Sequence, residues 1–222
     1  MNTLDQPLGQ LARQIPGATA VFFAYRLDFC NGGKQTLREA TAYKALDAEA
    51  IAAELDALIG QPETENWDRA PSGALIEHIL TRYHEYHRQQ LPQLIHLAAR
   101  VESVHRGHPE CPAGLADHLE QMFAELERHM QKEEEILFPM IMRGMSAMAR
   151  APVAMMRHEH HDHVQALQQI NKLTRNLTLP NGACNTWYAL YLGLATLERD
   201  LEEHIHLENN LLFERIDGLG GL

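Results

Sequence analysis

The chain has 222 residues, 45% hydrophobic and 22% charged, which is globular composition and excludes a disordered chain. Nineteen Lys and Arg against 30 Asp and Glu give a net charge of −11, so nucleic acid and anionic lipid are both disfavoured as partners. No apolar run approaches the ~18 residues of a membrane-spanning helix, and the first residues carry no basic-then-apolar leader pattern; a cytoplasmic location is expected. Cys30, Cys111 and Cys184 are odd in number and far apart, which is no disulfide framework. Histidine is the abundant special residue, with 14 copies.

Residues 1–60 read as a small helical domain. Leu4, Leu8, Leu11 and Ile15 recur at helical spacing. Asp28-Phe29-Cys30-Asn31-Gly32-Gly33 has the composition of a tight turn. Thr36 followed by Glu39 is a capping-box signature, and Asp47 caps a helix through Ile51, Leu55 and Leu58 that Gly60 closes. Residues 61–71, QPETENWDRAP, read as a linker.

Residues 72–222 contain four long helical patterns, near 72–104, 112–143, 152–175 and 184–215. Pro139 is expected to end or kink the second. Breaks rich in Gly, Pro and Asn fall at 106–109 and 179–182, and no convincing strand run appears. The expected fold is all-α, a small helical domain followed by an up-down four-helix bundle.

The bundle region repeats. HMQKEEEILFPMI at 129–141 aligns with HIHLENNLLFERI at 204–216, and His84 and His87 align with His160 and His163. His129 and Glu133 are four apart, as are His204 and Glu208, so each pair shares a helix face. His84 and His160 each add an imidazole from the preceding helix of their half. A single His-x-x-x-Glu is usually a solvated pair, but two copies in register, each with a partner histidine, point to a metal site. Four His and two Glu can hold two ions with the carboxylates bridging, and imidazole with carboxylate suits Fe, Mn or Zn.

Glu125 and Asp200 each lie one turn before a candidate ligand, where a carboxylate either serves the centre from behind or is ordinary surface charge. Glu159 points about 100° away from its neighbour His160 and reads as surface or access path. His87, His163, His206 and the remaining histidines are expected at the surface. Glu102-x-x-His105 and Glu203-x-x-His206 have ferritin-like spacing but no mates in the repeat, which argues against that arrangement.

The His4Glu2 set on four helices resembles the hemerythrin-like bundle. With the Cys-Gly-Gly turn in DFCNGGKQTL, RYHEYHR, HMQKEEEILFPM, HEHHDH and HIHLENNLLF, the whole chain resembles the repair-of-iron-centres family. These are bacterial di-iron proteins associated with nitric oxide and oxidative stress. The resemblance implies two non-haem irons held by His84, His129, His160 and His204, with Glu133 and Glu208 bridging. It also implies a role for Glu125 and Glu159 near a channel. The family usually carries two adjacent cysteines in the N-terminal turn, whereas here Asn31 follows Cys30. A single thiol at Cys30 can still ligate iron or trap nitric oxide, or it is a small buried hydrophobe.

The implied function is repair of iron–sulfur clusters damaged by nitric oxide or oxidants, by iron donation, with the damaged proteins as partners and the chain as monomer or homodimer. Alternatives are a di-iron nitric oxide reductase, a sensor or binder of O2 or nitric oxide, and a zinc-stabilised bundle.

Overall fold

The computed structural model describes residues 2–29, 33–59 and 67–218. Cys30, Asn31, Gly60 and most of the expected linker lie outside the described residues. The rest pack as two compact units: the described residues of Met1–Leu75 with those of Glu203–Leu222, and Ile76–Glu202. Among the described residues there is no strand, only one isolated antiparallel bridge between Pro7 and Thr36.

The first unit opens with a 3-10 turn, Thr3–Asp5, capped by the Asn2 side chain. Helices α1 (Leu8–Gln14), α2 (Ala18–Ala24), α3 (Leu37–Tyr43) and α4 (Ala48–Leu58) follow. Leu4, Leu8, Leu11 and Ile15, expected on one helical face, are all buried. They pack with Phe22, Leu27, Phe29, Leu37, Ile51 and Leu55. Each such side chain contributes roughly 1.5–3 kcal/mol when removed from water. Amides of Leu8 and Gly9 donate to the carbonyls of Gln35 and Gly33 at 2.8 and 2.9 Å, so the start of α1 is sewn to the chain before α3.

Both expected caps are present. Thr36 accepts from the Glu39 amide at 3.2 Å while Glu39 accepts from the Thr36 amide at 2.9 Å, and Asp47 accepts from the amides of Glu49 and Ala50. The backbone bond from Thr36 holds the exposed Glu39 carboxyl below its ordinary range. A depressed carboxyl stabilises the fold above its unfolded pKa and ceases to as pH falls through the folded one, so this cap weakens in acid. Thr36→Ala is expected to cost about 1 kcal/mol. Faster amide exchange confined to the first turn of α3 would check it; unchanged exchange there would refute it.

The first unit also contains the end of the last long helix. A π-helical stretch at Leu207–Leu212 leads into α11 (Phe213–Gly218). Asn210 Nδ2 donates to the Phe29 carbonyl at 3.1 Å, and Arg13 donates to the Asn210 carbonyl at 3.0 Å. Arg215 donates to the carbonyls of Trp67 and Ala70 at 2.6 and 2.7 Å.

In the second unit, the end of α5 (Ser72–His78), from Ile76 on, passes through a π-helical stretch, Ile79–His84, into α6 (Glu85–Val104). The next helix is α7 (Leu115–Lys132), a π-helical stretch at Glu133–Leu137 and α8 (Phe138–Met142). Then come α9 (Ser146–Leu173) and α10 (Asn185–His206), the latter contributing residues 185–202 here. Two sequence expectations shift. The third helix begins at Ser146, not near 152, and Pro152 lies inside it, where the helix continues with one backbone hydrogen bond fewer. Pro139 does not stop its helix at once; it follows directly on a π-helical stretch, and the helix runs on to Met142.

The helices pack through Leu91, Leu94, Ala98, Leu119, Leu126, Leu190, Leu194 and Leu197, all buried. Gly193 allows α10 to approach α6 closely: a Cβ there would sit 2.6 Å from Leu94 Cδ2, and Gln90 Nε2 donates to the Gly193 carbonyl at 3.2 Å. No helix among the described residues is long and apolar enough to cross a membrane.

Candidate metal centre

His84, His129, Glu133 and His160 lie on three successive helical segments of the second unit, and none is more than 1% exposed. Their positions follow the apolar stripes of their helices. Leu126 and Met130 flank His129 inside the core, as Met156 and Leu167 do His160. A polar group placed on such a stripe must find partners there, because it has no water.

Glu133 is the centre of the group. Both its carboxylate oxygens are buried and receive no hydrogen bond. The Nε2 atoms of His84 and His129 face its Oε2 at 3.5 and 3.4 Å, and His160 Nε2 lies 3.1 Å from His129 Nε2. Charge-assisted N–H···O bonds are shorter, about 2.7–2.9 Å. Two donor atoms bound at 2.0–2.2 Å to one first-row ion are instead roughly 2.8–3.6 Å apart, the range found here. The ligand atoms of His129, Glu133 and His160 all lie within 4.8 Å of one another. This buried His and Glu cluster fits a metal ion.

The imidazoles are turned toward Glu133 by a second row of carboxylates. His84 Nδ1 bonds Glu134 Oε1 at 2.7 Å, and His129 Nδ1 bonds Glu159 Oε2 at 2.9 Å. A carboxylate on Nδ1 fixes the proton there and leaves the Nε2 lone pair for a metal. Each carboxylate is held in turn by a cation. Arg88 bonds Glu134 at 2.9 Å and grips Glu127 with two nitrogens at 2.8 and 3.2 Å, while Lys132 meets Glu159 at 2.5 Å. Glu134 is lowered to about 2, first by the bond from His84 and then by Arg88, against the opposing effect of burial. Glu159 is lowered to about 2 for the matching reasons, His129 and then Lys132. Both are carboxylates at any physiological pH.

In the first unit, His204 Nε2 lies 3.1 Å from Glu208 Oε1, with both residues buried. The pair repeats the spacing of His129 and Glu133. Glu208 falls inside the π-helical stretch Leu207–Leu212, as Glu133 opens Glu133–Leu137 and His84 ends Ile79–His84. Such stretches gather at functional positions because the extra residue re-aims a side chain.

The remaining candidates are distributed as follows. Glu159 lies behind His129, as above. Glu125 is half-buried and accepts from Gln121 at 3.0 Å on its own helix. Asp200 is buried and accepts from Arg82 at 3.1 Å and from Arg199 at 3.2 Å. Cys30 is outside the described residues. Three histidines expected at the surface are instead buried. His87 and His163 are at most 3% exposed, and the His163 ring meets the His129 ring edge-on at 4.8 Å. His206 packs against Phe29, and burial pushes its pKa down to about 3, so it is neutral. Glu134, Arg88 and Lys132 were not singled out in the sequence. Arg88 had a signal, since it lies four residues after the candidate ligand His84, whereas Glu134 sits in a run of three glutamates.

Comparison with known proteins agrees with this geometry. Residues 75–216 match the hemerythrin HHE cation binding domain, and residues 4–59 match ScdA_N, a domain of unknown function (DUF542). The chain is 51% identical over 215 residues to an iron-sulfur cluster repair protein YtfE from Citrobacter koseri, covering 97% of this chain and 98% of the relative. It is 50% identical over 216 residues to the protein of that name from Dickeya chrysanthemi, with the same coverage. Against that of an Escherichia coli strain it is 50% identical over 211 residues, covering 95% of this chain and 96% of the relative. The chain belongs to the family of the YtfE iron-sulfur cluster repair proteins and carries their hemerythrin-type iron-binding domain.

Proposed function

We propose that this protein repairs damaged iron–sulfur clusters by supplying iron from a two-iron centre. The observation that carries the reading is the Glu133 carboxylate, buried without a hydrogen-bond donor and faced by imidazole nitrogens. His84, His129, His160 and His204 are the proposed imidazole ligands, and Glu133 and Glu208 the bridging carboxylates. The repeat supports this set, since the second His-x-x-x-Glu pair is as buried as the first. The hemerythrin-domain match also spans all six residues. On this reading the domains are 1–60, a linker at 61–71 and the bundle at 72–222, in keeping with matches that end at 59 and begin at 75.

Iron is here both bound group and cargo. Two ferrous ions bring four positive charges, and two bridging carboxylates with four neutral imidazoles return two. That modest compensation suits a centre that releases its metal. Six side chains for two ions also leave positions for nitric oxide or O2, the signals of the stress the protein answers. The recipients are proteins with damaged clusters, in the cytoplasm.

The test is cluster rebuilding in a damaged iron–sulfur enzyme, with ferrous-loaded protein or an equal amount of free ferrous ion as iron source. A competing chelator is present in both arms. Recovery several-fold faster from loaded protein is expected. Recovery no faster than from free iron refutes donation. Steady conversion of nitric oxide to nitrous oxide would replace it with the reductase reading.

A further inference from the structure

A second chemically organised group lies at the other end of α6. His105 follows His84 by 21 residues, about 30 Å along the helix axis, and forms its C-terminal cap. Its Nε2 lies 3.2 Å from the Sγ of Cys184, which is half-buried just before α10. The backbone amides of Thr186 and Trp187, at the start of that 22-residue helix, also bond the sulfur. An imidazole and two amides on one sulfur stabilise the thiolate, and a helix N-terminus adds to the effect. The Cys184 thiol is accordingly lowered to about 7, first by His105 and then by the Trp187 amide.

Trp187 is fully buried beneath this pair. Its ring lies 4.9 Å from that of His105 and 5.5 Å edge-on from that of His108. The other titratable side chains at this end include Glu102, His108, Glu110, Cys111, Arg175 and Tyr191, with Arg175 bound to Glu110 at 2.6 Å. Cys111 is the natural contrast: burial raises its pKa, and nothing activates it.

We propose that Cys184 and His105 form a peroxide-reactive thiol site, separate from the metal centre. The thiolate attacks one oxygen of hydrogen peroxide. The S–O bond forms as the O–O bond breaks, and the leaving hydroxide takes the proton of the His105 imidazolium. Sulfur loses two electrons and peroxide gains them; the products are Cys184 sulfenic acid, water and neutral His105. This does not depend on the iron-donation reading, so either can fail alone.

The test uses the full-length protein with iodoacetamide as first probe, following each cysteine by peptide mass spectrometry across pH. Cys184 is expected to react about fivefold or more faster than Cys111 at pH 7, since its larger thiolate fraction outweighs the lower nucleophilicity of a low-pKa thiolate. Its rate should titrate near pH 7. In His105→Gln the inflection should move up, toward that of an ordinary thiol. A sulfenic-acid trap added with hydrogen peroxide should then mark Cys184 and leave Cys111 unmarked. Equal rates for the two cysteines in the unmodified chain would overturn the proposal, whatever the variant does. So would absence of trapped Cys184 after peroxide, or an inflection that His105→Gln leaves in place.

Discussion

Glu133→Gln is expected to raise the melting temperature of metal-free protein and to abolish the further rise that metal gives the unmodified chain. The two effects have one cause. Without metal, a fully buried carboxylate with no hydrogen-bond donor has imidazole nitrogens at 3.4 and 3.5 Å. An uncompensated buried charge costs several kcal/mol. Neutralising it should therefore return about 1–3 kcal/mol, or roughly 3–10 °C for a chain of this size. With metal the sign reverses, because the charge becomes a ligand. Free metal at a thousand times its dissociation constant stabilises by about 4 kcal/mol, and the variant loses that gain. Thermal melts with and without chelator decide the matter. A metal-free variant less stable than its parent, or one with the same metal-induced rise, would show that Glu133 is not a ligand.

Glu134→Ala should weaken metal binding by about 10–100-fold, although Glu134 faces away from the centre. The substitution removes the acceptor of His84 Nδ1–H, the bond that helps keep its Nε2 lone pair pointed at Glu133. It also frees one arm of Arg88, whose remaining grip is on Glu127. Glu125→Ala is the control, since that carboxylate bonds Gln121 on the helix surface; a change of less than about twofold is expected, as for most surface substitutions. Equilibrium competition against a coloured chelator reads both. Equal losses in the two variants would mean that charge near the bundle, and not the orientation of His84, governs affinity.

The six candidate ligands were legible because they break a rule in duplicate. A lone His and Glu on a helix belong on its wet face, yet these recur at one register beside Leu and Phe. Glu134 was not legible, because in the run KEEEIL it looks like one more solvated carboxylate. Only the approach of α6 to α7 turns it toward His84. His206 misled for the complementary reason. On a helical wheel it is one more polar residue, and it is buried by Phe29, far away in sequence. Helix bodies were legible from periodicity and both N-terminal caps from local chemistry, whereas α9 begins six residues before the expected 152. The π-helical stretches left no trace, since a fixed 3.6-residue period cannot represent a change of phase.

That change of phase gives these helices an unusual relation to insertion and deletion. One residue on an α-helix spans about 100° of rotation, so a one-residue deletion in a regular helix throws everything beyond it onto the wrong face. Within Glu133–Leu137 the extra residue is already built in. A deletion there would straighten the helix and leave its apolar stripes continuous, while the segment Phe138–Met142 turned by a quarter of a circle relative to Glu133. The bundle would remain foldable and the carboxylate would be lost from the site. Gain of the site and its loss are thus each one codon from a plain helix, and descendants of this fold that no longer handle iron should differ from it first in the lengths of these three segments.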